Sequence, residues 1–372
     1  MAAGIPLLVW YGADAILNST DGELSQPVTD PAAPGYEVLV VPSPSHMVFG
    51  LDPSGDLASV TIASLAANDL GGTALFLPAE TIMPADSPEY ASQRLIDIFE
   101  TGGEAATRLA LATLIDINVD DLTVLDDAGW SRIVEPVAPI QVNLGIDLVS
   151  ADTAGVLRLA YAAGPVAVTA DQTAEFLGWV NDGEATSARV SRQLTYWEEW
   201  VARIAASSDP SAVPGEANEG IGRLLRGLGN GPAVVTAVDG VEITLADGST
   251  AVELDVAELR GLVGQMIPFP LPVEPGARPR VRLLDGAGGL DVASLYAQDL
   301  VAEGAQIVVI GNAETFGLRQ TVVVYHEKRF EAQARAFGEE LGGAEVSFQP
   351  LTDVVLDVTI IIGSDQGLAL GG

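Results

Sequence analysis

Cysteine is absent from this chain of 372 residues, and histidine occurs only twice, at His46 and His326. Without thiols the protein has no cysteine nucleophile, no disulfide and no cysteine-ligated zinc, and two histidines are too few for a centre of several imidazoles. We therefore predict neither a metal site nor a cofactor. Each histidine is expected at the surface or at a strand end. The lack of cysteine does not fix the compartment.

Basic residues are also scarce. The chain has 17 lysines and arginines against 51 aspartates and glutamates, which gives a formal net charge of -34. A field of this sign repels nucleic acids and anionic lipid surfaces. We therefore expect an acidic protein that does not bind nucleic acid.

No lysine or arginine precedes Arg94, and residues 2–17 are apolar apart from Asp14. As a helix this stretch would span about 24 Å, less than a hydrocarbon core of about 30 Å. It also lacks the basic flank of a signal peptide or anchor. We interpret residues 1–17 as the remaining part of a truncated membrane anchor. The alternative is a short apolar helix that packs on the domain.

Two apolar runs, residues 59–65 and 73–81, flank a turn at 66–72 that contains Asn68, Asp69 and two glycines. Asn and Gly supply the positive φ that a tight turn requires, so the pattern predicts a β-hairpin. Because both runs are apolar at nearly every position, both faces are expected to be covered. The hairpin is therefore predicted to be central in a sheet.

Proline-containing stretches divide the chain. Residues 18–35 and 268–279 each hold several prolines and are interpreted as linkers. Between them, residues 36–267 are predicted to form an α/β domain with a central mixed sheet flanked by helices, and residues 36–41 are its first strand. Residues 280–372 have the predicted order βαββαββ, which indicates a small α/β sandwich domain.

The predicted C-terminal domain resembles the LytR C-terminal domain of bacterial cell-envelope proteins. The resemblance lies in residues 281–290 (VRLLDGAGGL), 309–313 (VIGNA), 321–325 (TVVVY) and 357–363 (DVTIIIG). It covers nearly all of the C-terminal domain. The family usually has Asn where this chain has Asp285.

The preceding domain resembles the LytR-CpsA-Psr (LCP) family in the order and spacing of four motifs. Residues 58–61 (ASVT) stand where the family has Arg-Ser-Asp-Thr, and residues 77–81 (LPAET) stand where it has Ile-Pro-Arg-Asp-Thr. Residues 102–104 (GGE) are similar to its Gly-Gly-Pro-Glu helix start. Residues 189–193 (RVSRQ) are similar to its late Arg-x-x-Arg-Gln helix. The first domain is therefore interpreted as a degenerate LCP-like domain.

The resemblance implies a chemistry that this chain has lost. LCP proteins move a polyprenyl-pyrophosphate-linked glycopolymer onto peptidoglycan, which requires cations to hold the pyrophosphate and carboxylates for magnesium or base catalysis. The two matching arginines are Ala58 and Ala79, the first aspartate is Val60, and the second is Glu80. Alanine cannot replace the bidentate phosphate contact of arginine. We therefore predict degenerate active-site positions and no catalytic residue.

Two arginines of the motifs are retained. Arg189 and Arg192 lie on one helix face and are predicted to bind an anionic ligand. The alternative is a solvated helix face without a ligand. Three tryptophans, Trp179, Trp197 and Trp200, could line a prenyl tunnel, or they pack in the core as aromatic residues at helical spacing usually do.

The expected function is that of a non-catalytic cell-envelope protein, extracytoplasmic and anchored to the cytoplasmic membrane. Its partner would be an LCP ligase, a lipid-linked glycopolymer with its polyprenyl lipid, or wall glycan. The alternative is an active LCP-type phosphotransferase with rearranged carboxylates, drawn from Asp52, Asp56, Asp69 and Glu80. A third hypothesis joins a binding C-terminal domain to an unrelated first domain.

Overall fold

The computed structural model describes residues 28–151, 157–351 and 355–369. The predicted anchor and most of the linker that follows it lie outside these residues. Within them, no helix is both long and apolar enough to span a bilayer. The chain divides into two compact units. We call Pro44–Met266 the central unit, and the described residues of 28–43 together with those of 267–369 the split unit.

The strands of the described residues are, in chain order, β1 (Glu37–Leu39), β2 (Ser45–Leu51), β3 (Leu57–Leu65), β4 (Gly72–Leu77), β5 (Asp121–Leu125), β6 (Ile140–Leu144), β7 (Leu148–Ala151), β8 (Leu157–Tyr161), β9 (Gly164–Val168), β10 (Ala233–Ala237), β11 (Gly240–Thr244), β12 (Thr250–Leu254), β13 (Arg280–Asp285), β14 (Gln306–Asn312), β15 (Val322–Tyr325), β16 (Glu345–Phe348) and β17 (Val358–Ile362). The α-helices are α1 (Leu95–Ile115), α2 (Asp127–Val134), α3 (Thr173–Gly178), α4 (Thr186–Ala206), α5 (Gly220–Gly229), α6 (Val256–Met266), α7 (Val292–Ala302), α8 (Glu331–Glu340) and α9 (Ser364–Ala369). Both units are α/β, which confirms the predicted fold class.

A five-stranded mixed sheet forms the centre of the central unit, in the order β10-β4-β3-β2-β5. The middle strand, β3, runs antiparallel to both β2 and β4, so the predicted hairpin and its central position are confirmed. In its turn, Asn68 and Gly71 have φ angles of 64° and 88°. A Cβ on Gly71 would lie 2.1 Å from the Pro232 carbonyl oxygen, so both the backbone angle and the space require glycine.

The two faces of this sheet pack on different cores. On one face Phe76 packs edge-on against Trp197, with ring centroids 5.5 Å apart, in a core that includes residues of α2 to α5. On the other face Phe49 packs against Phe99 of α1 with centroids 6.2 Å apart. Because both faces are covered, the hairpin strands need no polar face, which explains their apolar sequence.

Two helix predictions can be compared with the structure. The apolar spacing over residues 186–204 predicts one long helix, and α4 confirms it. The sequence also predicts separate helices over residues 90–99 and from Gly102 onward. Within α1 the backbone of Gly103 is non-helical, with φ of 67° and ψ of -161°, so two helical segments meet there. The glycine pair therefore separates two helical segments as predicted, and the first of them begins at Leu95.

A six-stranded sheet forms the split unit, in the order β1-β14-β13-β17-β15-β16. Helices α7 and α8 pack on it through an apolar core that includes Leu300, Phe337 and Ile360. The order predicted from residue 280 onward, βαββαββ, is the observed one from β13 to β17, and α9 follows it.

The first strand belongs to a different sheet from the one expected. Residues 36–41 were predicted to begin the first domain, yet β1 pairs antiparallel with β14 of the split unit, with Val38 opposite Ile310. The central unit begins only at Pro44. The prediction is wrong on this point because an apolar run indicates a strand and carries no information about which sheet will accept it.

The histidines lie at strand ends, which is one of the two expected placements, and they are not at the surface. His46 is 4% exposed in β2 and hydrogen-bonds Thr123, and His326 is 8% exposed and contacts Thr359 through its ring. Burial lowers the pKa of His46 to about 4, while the nearby Asp121 carboxylate acts in the opposite direction. Each imidazole is therefore part of the packed structure of its own unit.

Candidate functional site

A cleft of about 210 Å³ lies in the central unit beside the hairpin and the first half of α4. Its lining residues are Glu80, Arg94, Val180, Glu184, Ala185, Thr186, Arg189 and Thr250. Two of these, Glu80 and Arg189, are sequence-predicted positions. The cleft is therefore the candidate functional site.

The degenerate positions of the hairpin are buried and apolar. Val60 is 0% exposed and lies opposite Leu77 in the β3–β4 ladder, and Ala79 is 1% exposed. Ala58 is also buried, and its carbonyl oxygen accepts a hydrogen bond from the Gln193 side chain of α4. This bond ties the Arg-x-x-Arg-Gln segment to the start of β3. The segments at residues 58–61 and 189–193 are therefore in contact, and positions 58, 60 and 79 carry no charge.

Arg189 and Arg192 do not lie on a solvated helix face. Each is 7% exposed, so that alternative is wrong. Arg189 pairs with the carboxylate of Glu80, and Arg192 pairs with Glu184, in each case with both side chains largely removed from solvent. Burial lowers the pKa of Arg192, while the Glu184 carboxylate opposes that shift. Both cations therefore already have an anionic partner from the same chain.

The second arginine that lines the cleft, Arg94, is also paired. Arg94 donates to both carboxylate oxygens of Asp97 and to the carbonyl oxygen of Thr250. Its hydrogen bond to Asp97 raises its pKa. At the start of α4, the backbone N–H of Thr186 donates to the Glu242 carboxylate at 2.9 Å. A carboxylate thus also occupies the helix end where an anion would be favoured.

Both Arg189 and Arg192 keep one unused donor. Their Nε atoms are buried and have no hydrogen-bond partner among the described residues. A buried donor left without a partner costs about 1–3 kcal/mol. Arg189 lines the cleft with other atoms of its residue, because its Nε has almost no solvent-accessible surface.

The carboxylates considered for a rearranged active site are scattered. Only Glu80 lines the cleft. Asp52 accepts hydrogen bonds from the backbone N–H groups of Ser54 and Asp56 within the β2–β3 turn. Asp69 pairs with Arg223 at the turn of the hairpin. Among the described residues, no group of three or more His, Asp or Glu side chains is arranged to hold a metal ion.

Two of the three tryptophans lie in the core, and the third is partly buried. Trp197 and Trp200 are 1% and 0% exposed and pack against each other with ring centroids 5.0 Å apart. They fill the core, which agrees with the packing interpretation. Trp179 is partly buried, and its indole N–H donates to Asn181 at 3.0 Å.

Sequence reasoning missed the other six lining residues of the cleft, of which four are polar: Arg94, Glu184, Thr186 and Thr250. Arg94 directly precedes α1, and Glu184 lies two residues before the start of α4. Thr250 begins β12, far from the motifs in sequence. The sequence offered one signal, the expectation that each retained arginine pairs with a carboxylate. This expectation does not identify which carboxylate is the partner.

Comparisons with known proteins give one family match. Residues 278–365 match the family described as LytR cell envelope-related transcriptional attenuator. No curated protein matches the chain.

Several solved structures are similar to the chain. TagV of B. subtilis is 14% identical, over 60% of this chain and 97% of that one, with a TM-score of 0.48. Protein gbs0355 from Streptococcus agalactiae is 17% identical, over 60% and 88%, with a TM-score of 0.49. YwtF (TagT), a LytR-CPS2A-psr family protein of B. subtilis solved with bound octaprenyl pyrophosphate lipid, is 14% identical, over 65% and 93%, with a TM-score of 0.46. The chain is similar in structure to these solved proteins. By the family match, it carries a LytR C-terminal domain, a cell-envelope-related domain, as the sequence predicts.

Proposed function

We propose that this protein is a non-catalytic cell-envelope protein whose central unit is a diverged LCP domain that binds envelope glycan in the cleft. The glycan is part of a lipid-linked glycopolymer or of the wall, and an LCP ligase is the protein partner that would share it. The site of action is extracytoplasmic, at the cytoplasmic membrane. The observation that carries the proposal is the pairing of both arginines that line the cleft with carboxylates of the same chain.

The charge balance argues against pyrophosphate as the ligand. The two arginines that line the cleft, Arg94 and Arg189, pair with Asp97 and Glu80. Glu184, which also lines the cleft, pairs with Arg192, so the cleft has no excess positive charge. A pyrophosphate would have to displace a buried carboxylate in a protein of net charge -34. Anion binding and phosphoryl transfer both depend on uncompensated cations or a metal ion at the phosphate.

The same features suit uncharged hydroxyl groups. The Glu80 carboxylate that lines the cleft is an acceptor, and the Arg189 side chain beside it carries N–H donors. Thr186 and Thr250 line the same cleft, whose volume is about 210 Å³. A sugar offers donors and acceptors on adjacent carbons and brings no charge, so it can use these groups while both ion pairs stay intact.

A turnover assay tests the non-catalytic part of the proposal. The protein is mixed with a polyprenyl-pyrophosphate-linked glycopolymer, peptidoglycan and Mg²⁺, with an active LCP ligase as positive control. We expect no transfer above background. Magnesium-dependent transfer by this protein would refute the proposal and favour the transferase with rearranged carboxylates.

A pull-down on purified wall glycan tests the cleft. We expect Thr250→Val, which removes a hydroxyl at nearly constant volume, and Arg189→Gln to reduce retention at least tenfold. Arg203→Gln is the matched control, because Arg203 lies on the same helix, is exposed and donates to the Pro139 carbonyl oxygen away from the cleft. Equal retention of all three variants would eliminate the cleft as the glycan site.

A further inference from the structure

The outer edge of β14 is occupied by a segment from a distant part of the chain. The LytR C-terminal match covers residues 278–365 and so includes β14 but not β1. Without β1, β14 would be an edge strand of the sheet, with its outer N–H and C=O groups free to pair with another strand. We call residues 31–41, which cover this edge, the strap.

Main-chain hydrogen bonds hold most of the strap. The N–H of Gly35 donates to the Ala313 oxygen at 3.0 Å, the N–H of Asn312 donates to the Tyr36 oxygen at 2.7 Å, and the N–H of Val40 donates to the Val308 oxygen at 3.0 Å. The Asn312 side chain also donates to the carbonyl oxygens of residues 31 and 33. These contacts depend little on which side chains the strap carries.

The edge is shaped for a backbone passing close to it. A Cβ built on Gly311 would lie 2.1 Å from the Tyr36 carbonyl oxygen and 2.9 Å from the Cα of Glu37. The nearest atoms to that Cβ all belong to the strap. Glycine at 311 therefore opens space for an added strand, and a side chain there would exclude it.

The strap buries few of its own side chains. Leu39 and Val41 are 46% and 67% exposed. Val40 packs against the apolar core of the split unit, and the Glu37 carboxylate pairs with Arg282 of β13. These two side chains add contacts to those of the main chain.

We infer that the outer edge of β14 is a binding site for an extended peptide and that the strap occupies it as an internal ligand. The matching ligand is an extended segment with a carboxylate opposite Arg282 and, three residues later, an apolar side chain in the place of Val40. In such strand addition the main chain supplies affinity, and the side chains supply selectivity. A segment of another protein with this pattern binds when the strap leaves, so the strap controls access to the edge.

A labelled peptide of residues 30–42 tests the site on the full chain by fluorescence anisotropy. The wild-type protein should bind it weakly, because its own strap competes intramolecularly. Val40→Pro removes the N–H that donates to Val308 and should tighten binding at least tenfold. Adding Gly311→Val should abolish this gain. A folded Val40→Pro protein that binds no better than wild type, or binding that survives Gly311→Val, would overturn the inference.

Hydrogen exchange on the wild-type protein gives a test that needs no variant. The Val40 amide should exchange at least tenfold faster than the buried amide of Asp357, which donates to the Arg280 oxygen inside the sheet. Equal rates would mean that the strap opens only when the whole sheet opens. The strap would then be a fixed part of the fold, and the inference would be wrong.

Discussion

Replacing Glu80 with alanine separates the structural role of its ion pair from the ability of the cleft to hold an anion. The Glu80 and Arg189 side chains are 13% and 9% exposed. Removing one partner of a buried ion pair leaves an uncompensated charge and costs about 3–5 kcal/mol. Because both groups border the cleft, we expect a loss at the low end, about 3 kcal/mol in the free energy of unfolding. Urea denaturation measures it.

Pyrophosphate should restore the stability of Glu80→Ala, because the anion can enter the cleft and pair with the released Arg189. A ligand that binds only the native state contributes about 2.7 kcal/mol at a concentration of one hundred times its Kd. We expect the urea midpoint of this variant to rise toward the wild-type value with added pyrophosphate. The wild-type midpoint should not move, since Glu80 already occupies the arginine.

The double variant Glu80→Ala/Arg189→Met is the matched control. It removes both charges of the pair and replaces the arginine with an apolar side chain of similar length, so it should be more stable than Glu80→Ala alone. It should also show no response to pyrophosphate. If the double variant responds as strongly as the single one, or if Glu80→Ala does not respond, our account of the cleft is wrong.

Two further predictions concern buried groups outside the cleft. Burial lowers the pKa of His46 from 6.5 to about 4. Between these two pH values the unfolded chain binds a proton on His46 and the folded protein does not. The free energy of unfolding therefore falls as the pH drops from 6.5 to 4. His46→Gln should remove up to about 3 kcal/mol of that loss. The measurement is the free energy of unfolding against pH for the wild-type protein and the variant. Superimposable profiles would show that His46 is not the group responsible. Both carboxylate oxygens of Asp285 accept hydrogen bonds, from three backbone N–H groups of residues 287–290. Asp285→Asn has a single acceptor oxygen and should lower stability by about 1–3 kcal/mol in thermal denaturation; an unchanged Tm would show that the loop adapts.

The parts of the fold that the sequence predicts correctly are those encoded locally. The turn at 66–72 carries residues that tolerate positive φ, and the runs on either side are apolar because both faces of β3 and β4 are covered. In the split unit, the alternation of apolar strands with helices and glycine turns is complete within residues 280–362, so the pattern predicts each element.

The parts that sequence reasoning missed depend on contacts between distant residues. Whether Arg189 faces solvent or a carboxylate is decided by Glu80, which lies 109 positions away. The sequence indicates the strand at residues 37–39. It does not identify β14 as the partner, because an apolar strand can pair with any open sheet edge. The motif resemblance predicts which charges are missing. It does not predict that this chain's own carboxylates balance the charges that remain.

The strap is synthesised long before β14, the strand with which it pairs, and this order has a consequence for the nascent chain. Asn312 and the strap residue Pro31 are 281 positions apart. At a translation rate of about 5–20 residues per second, the strap emerges from the ribosome roughly 15–55 s before β14 exists. Throughout that interval its apolar residues, including Val38 and Leu39, have no native strand to join. We therefore expect nascent or truncated chains that end before β14 to expose an unpaired strand, which chaperones would bind and which would make such chains prone to aggregate.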